Sequence, residues 1–133
     1  VFYDIEITDF TSGGRTSRTV VSTAEEAGTQ ARAAESIDQC LLLVGRHAEN
    51  VSHDDFHLWL AGSRAFLRLD GHRDWYATDP GAAPAQDGTE VELSDLDGRF
   101  SVPFSRTLSR TQGFEALLHW LRTGEMMPGL AWR

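Results

Sequence analysis

Residues 113–132 read GFEALLHWLRTGEMMPGLAW, and the fold is decided here. Phe114, Leu117, Leu118 and Leu121 stand at i, i+3, i+4 and i+7, which puts them on one stripe of a helix. Ser109 with Gln112 is a capping-box pattern for its start, and Ser105 is a second cap a turn earlier. Gly124 follows the stripe where a left-handed cap belongs, and Pro128 keeps the helix from resuming. Residues 130–132 are then free to run back along a sheet.

The sheet itself is clearest in residues 56–69. Residues 56–61 and 64–69 flank Gly62-Ser63, a hairpin with a two-residue loop of type II′ character. That register sets Leu60 beside Ala65, Trp59 beside Phe66 and Leu58 beside Leu67. Leu58, Leu60, Ala65, Leu67 and Leu69 then share one face, and Trp59 and Phe66 share the other. The strand at 73–78 allows two registers. A short loop sets Trp75 beside Phe66 but Asp74 against Leu67. A longer loop sets Tyr76 beside Leu67 and Trp75 beside Arg68, a cation–π pairing. The longer loop is preferred because it keeps a carboxylate off the leucine face. After a loop at 79–89, residues 90–96 and 99–104 read as another hairpin around Asp97-Gly98. Its expected pairs are Leu93 with Val102 and Val91 with Phe104, with Pro103 at an edge or strand end.

Upstream, residues 2–8 alternate, with Tyr3, Ile5 and Ile7 inward and Phe2, Asp4 and Glu6 outward. A turn at 11–15 leads to a short strand at 19–22. Ser22 with Glu25 is a capping-box pattern for a helix at 23–35, with the inward stripe Ala24, Ala27, Ala31 and Ala34. Such small residues bury little area, so this helix depends on the sheet. Gly28 weakens it by ~1 kcal/mol relative to alanine. Residues 39–44 form a central strand ended by Gly45, and residues 47–55 are polar and turn-like. The expectation is an α+β fold, a mainly antiparallel sheet with two helices packed against it, in a single domain over residues 1–133.

Totals narrow the function. A chain of 133 residues with 41% hydrophobic and 24% charged residues is globular. No apolar run approaches the ~20 residues that cross a bilayer, and no signal peptide is visible, although a chain beginning at Val1 could have lost a leader. The net charge of −8 argues against nucleic acid or anionic membrane as a direct ligand. It favours solubility or a basic protein partner. The 12 basic residues are all arginine, which reflects genomic composition and not function. The single cysteine, Cys40, lies beside Leu41 to Val44 and reads as a small buried hydrophobe. One cysteine makes no internal disulfide, so a reducing cytoplasm is the simpler setting.

Chemical motifs are few. His53, Asp55 and His57 would share one side of an extended strand, where two imidazoles and a carboxylate could hold zinc with an open position. The competing reading is a loop entering a strand with a polar outer face. Gly62-Ser63 is a hairpin turn and not a nucleophile elbow. The glycines match neither a phosphate loop nor a dinucleotide fingerprint. Of the four tryptophans, Trp120 and Trp132 read as structural. Trp59 and Trp75 fall on the face away from the helices, as interface anchors or under a loop. Between Arg73 and Arg99 lie Asp74, Asp79, Asp87, Glu90, Glu92, Asp95 and Asp97 with no intervening arginine. That is a solvated loop and hairpin, or a negative patch that meets a basic partner.

Three features carry a resemblance: the Leu58-Trp59-Leu60 strand, Gly71 through Trp75, and the tail. In the tail the helix with Leu117, Leu118 and Leu121 is followed by Thr123-Gly124-Glu125, Pro128 and Leu130-Ala131-Trp132. From residue 56 to 133 the sequence resembles a family of immunity proteins of bacterial polymorphic toxin systems, commonly encoded beside nucleic-acid deaminase toxins. The first fifty or so residues fit in layout only. The resemblance implies an α+β fold with an antiparallel sheet, no enzymatic activity, no cofactor or metal, and tight 1:1 binding to a cognate toxin. That toxin would be a deaminase or another basic, nucleic-acid-directed domain, neutralised by blocking its active site or substrate groove. None of the family's motif residues is catalytic, so the binding residues are expected on physical grounds. They are Asp74, Trp75, Asp79, Asp87, Glu90, Glu92, Asp95 and Asp97, with Trp59 as an anchor. The alternatives are a small metal-dependent enzyme centred on His53, Asp55 and His57, and an interaction module unrelated to toxins.

Overall fold

The computed structural model describes residues 1–48, 54–70, 75–82 and 88–133. It is an α+β fold with a mainly antiparallel sheet and two α-helices. β1 (Phe2–Asp9) and β2 (Arg15–Val21) form a hairpin, and α1 (Ala24–Ala31) with a 3-10 turn (Arg32–Ser36) crosses back to β3 (Gln39–His47). β4 (Asp54–Ala61), β5 (Arg64–Asp70) and β6 (Trp75–Thr78) continue the sheet. β7 (Glu90–Asp95) and β8 (Gly98–Pro103) stand apart as a two-stranded hairpin. β9 (Leu108–Ser109), α2 (Arg110–Thr123) and β10 (Ala131–Trp132) close the chain. The eight-stranded sheet runs β10-β6-β5-β4-β3-β1-β2, with β9 pairing β5 beside β6.

The pleat sorts the residues into two cores. On one face Tyr3, Ile5, Leu42, Val44, Phe56 and Leu58 meet Ala27, Ala31 and Ala34 of the first helical segment and Leu117, Trp120 and Leu121 of α2. On the other face Leu41, Trp59, Ala61 and Phe66 meet Leu93 and Val102 of the β7–β8 hairpin. The apolar run from Cys40 to Val44 is thereby explained: β3 is central, covered by the helices on one face and, at its start, by the hairpin on the other. Cys40 is 1% exposed, and burial pushes its thiol up to about 12. Among the described residues no helix is long and apolar enough to cross a membrane.

The 56–69 hairpin forms in the expected register, Leu60 to Ala65, Trp59 to Phe66 and Leu58 to Leu67. The helix at 113 also matches. Ser109 accepts from the Gln112 backbone N–H while Gln112 accepts from that of Ser109, and Gly124 closes the helix at φ 73°. Four expectations are corrected. The first helix is capped by Thr23 and Glu26, one residue later than Ser22 and Glu25. β3 does not stop at Gly45 but pairs through it to His47. β6 sets Tyr76 beside Arg68 and Trp75 beside Leu69. This one-residue difference moves Tyr76 to the hairpin face, where it stacks on Phe66 at 5.3 Å, and puts Ala77 in the helix-side core. β7 and β8 pair Val91 with Val102 and Leu93 with Phe100. The expected Leu93–Val102 pairing was two residues out, a slip that leaves every side chain on its expected face.

Candidate functional site

The hairpin covers only part of the sheet face it sits on. It lies over β4 and the start of β3, where Trp59, Phe66 and Phe100 form a ring cluster with centroid separations of 5.4–6.2 Å. Trp59 is therefore 4% exposed. It is on the expected face, but as a core residue beneath the hairpin and not as an open anchor. Beside the hairpin a cleft of 530 Å³ is floored by Trp59, Phe66 and Tyr76. Arg68 and Arg99 reach it, and each already has an acid: Arg68 holds Asp70 through two bonds of 2.6 and 2.8 Å, and Arg99 holds Glu92 at 2.9 Å.

The acidic segment is not one uniform patch. Glu90 and Asp97 are exposed on the hairpin. Glu92 is paired with Arg99, because the chain reversal brings back the next arginine in sequence. Asp95 turns toward the sheet and accepts from the Leu96 N–H at 2.9 Å. Asp79 accepts from Gln112 Nε2 at 2.6 Å and from the Gly81 N–H at 2.9 Å, and these bonds hold its carboxyl below the usual range. It ties the long loop to the cap of α2. Asp74 and Asp87 lie outside the described residues, as does the side chain of Trp75.

Beyond the hairpin the same sheet face is open. Period-2 alternation puts Phe2, Asp4 and Glu6 of β1 there, with Arg18 and Val20 of β2 and Asp55 and His57 of β4. Asp4 takes two bonds from Arg18, at 2.8 and 2.5 Å, and is held below its usual range mainly by them. Glu6 lies 3.8 Å from Arg18. A groove of 250 Å³ runs between these carboxylates, with Leu43 and Gly45 as its floor and His47, Asp55 and His57 along its far side. Gly45 is buried: a Cβ there would stand 3.0 Å from both Asp55 Oδ1 and His47 Nε2, so the glycine lets these two side chains close over the strand. The outward row of β1 was legible in the sequence. The partners it acquires across β3 and β4 were not, since they depend on register.

His57 sits where groove and hairpin meet. Its Nε2 is 3.2 Å from Asp70 Oδ2, and its ring tilts on Trp59 at 5.5 Å. Burial pushes its pKa below 6.5, with Asp70 acting against that. The alternative metal reading rests on His53, Asp55 and His57, and one of these is not described. Asp55 and His57 share a face, His53 lies outside the described residues, and among those described no three His, Cys, Asp or Glu side chains are placed to hold an ion. No protein-family model matches the chain, and no curated protein matches it either.

Proposed function

We propose that this chain is an immunity protein that binds and neutralises a cognate bacterial toxin in the cytoplasm, by contact and without chemistry of its own. The partner is a basic, nucleic-acid-directed domain, with a deaminase as the first choice, held 1:1 with its active site or substrate groove blocked. The observation that carries the reading is the placement of negative charge in a chain of net charge −8. Glu90 and Asp97 project from the hairpin, and Asp4, Glu6 and Asp55 lie along the open end of the same sheet face. A toxin that grips nucleic acid needs a positive groove, and an acidic surface is its electrostatic complement. The resemblance of residues 56–133 supports the same class.

The test is protection. Each reading frame adjoining this gene is expressed in cells with and without the chain, to find one that is toxic alone. The expected outcome is growth rescue and loss of toxin activity on nucleic acid in a purified 1:1 mixture. Undiminished toxicity at full expression of a folded chain would refute the proposal.

A further inference from the structure

The large sheet ends at β2, and among the described residues no strand pairs with its far side. We propose that this edge pairs antiparallel with the same edge of a second copy of the chain, giving a two-fold dimer with one sheet running through both subunits. The inference goes beyond the immunity reading and does not rest on it, since a dimer with one toxin per subunit keeps the 1:1 ratio.

The first observation is an unguarded edge. β2 pairs with β1 at every position from Arg15 to Val21 without a skipped residue, and Arg15 to Arg18 and Val20 are exposed. Its outer row of backbone N–H and C=O groups is a template for another strand. Natural edges are blunted by brevity, proline, a bulge or outward charge. The opposite end of the sheet, β10, is two residues long. β2 has seven residues, no proline and no bulge, and its central charge, Arg18, is turned back onto Asp4 and Glu6 of β1. The second observation is apolar exposure at the same edge. Val20 is 54% and Phe2 45% exposed, adjoining on one face of the sheet. A strand laid along β2 covers Val20 and supplies the apolar centre that an interface needs. The third is charge, which selects the occupant. Two chains of net charge −8 repel each other over most of their surfaces. β2 carries no acid, and the acids beside it, Asp4 and Glu6, face Arg18. A second acidic chain can approach there, while a basic toxin finds little to attract it. Pairing about Thr19 sets Thr19 opposite Thr19, Val20 opposite Arg18 and Val21 opposite Ser17, with the two Val20 side chains on one face across the axis. Pairing about Arg18 would set guanidinium against guanidinium. Such a self-complementary contact closes on itself as a dimer.

Sedimentation equilibrium of the full chain from about 1 to 100 µM measures the dimer directly. The variants are Val20→Glu, at the edge, and Leu96→Glu, which makes a similar change at a residue 63% exposed on the hairpin turn. Urea midpoints confirm that each variant folds. The unaltered chain is expected to show a reversible monomer–dimer equilibrium. Val20→Glu should weaken it about tenfold or more, because a carboxylate then stands in each half of the shared ladder. Leu96→Glu should change it by about threefold or less. Amide exchange of the unaltered chain gives a second readout that needs no variant. Residues 15–21 should exchange more slowly as concentration rises, while residues 90–103 stay unchanged. A chain that stays monomeric throughout would overturn the proposal. So would a dimer that Leu96→Glu weakens as much as Val20→Glu, or exchange in residues 15–21 that is indifferent to concentration. None of these outcomes bears on the protection test of the immunity reading.

Discussion

Arg110 ties together three parts of the chain. Its guanidinium donates to the carbonyls of Ala34, Glu35, Ile37 and Asp38, where the first helical segment unwinds, and to Gly62 in the β4–β5 turn. Carbonyls at a helix end carry partial negative charge and suit a cation. Arg110→Ala is expected to lower unfolding free energy by about 2 kcal/mol in urea titrations, and Arg110→Lys to restore less than half of it, since an ammonium cannot span this fan of acceptors. The helix glycines divide by what they touch. A Cβ on Gly113 would stand 2.7 Å from Ala65 Cβ and 3.0 Å from Leu58 Cδ1, both in the core. Gly113→Ala should therefore cost about 1–3 kcal/mol despite alanine's better helix propensity. On Gly28 the neighbour is Leu118 Cδ2 at 3.2 Å, the end of a half-buried side chain that can give way. Gly28→Ala should be close to neutral, because crowding there offsets the ~1 kcal/mol that alanine gains in a helix.

His57 adds a pH dependence with a definite sign. Burial holds its folded-state pKa below 6.5, so the unfolded chain binds the proton more readily. The contribution is fully present above about pH 6.5 and is lost as pH falls from there through the folded-state value. The acids titrate too, so the readout is a difference. Between about pH 7.5 and pH 5.5 the unaltered chain should lose more stability than His57→Gln. An equal loss in both would show that His57 contributes nothing to the pH dependence.

Elements were legible where local chemistry and packing agreed. The 56–69 hairpin gave its own register, because Gly62 permits the tight turn at φ 55° and only one pairing puts all the leucines on one face. The α2 boundaries were written in Ser109, Gln112 and Gly124. Legibility ended where neighbours were near-equivalent. Ser22 and Thr23 are both good caps with a glutamate three residues on, and Thr23 prevails. In β7–β8 either of two registers keeps Val91 and Leu93 inward, and pattern alone cannot choose between them. The site suffered most, because a sequence run of acids says nothing of Arg99 folding back on Glu92 or of Asp79 being held by Gln112. At this scale the hairpin is a cover held by few side chains, with Leu93 fully buried at its centre. Leu93→Ala should cost about 2–4 kcal/mol and speed amide exchange across residues 90–103, while β1 and β3 keep their protection.

At the scale of the molecule, three layers divide the labour. Helices on one face complete the core, the sheet sets the spacing of the surface charges, and the hairpin covers part of the second face. The tail from residue 113 to 132 serves the first of these, with Trp120 1% exposed against Phe56. The acidic surfaces lie on the opposite side of the sheet. The most direct test of the proposed function is the association rate of the chain with a toxic domain from an adjoining reading frame, followed over a range of salt. A 1:1 complex whose association rate falls by about tenfold or more between about 0.05 and 0.5 M salt is the predicted result. Absence of a complex, or a rate indifferent to salt, would contradict it.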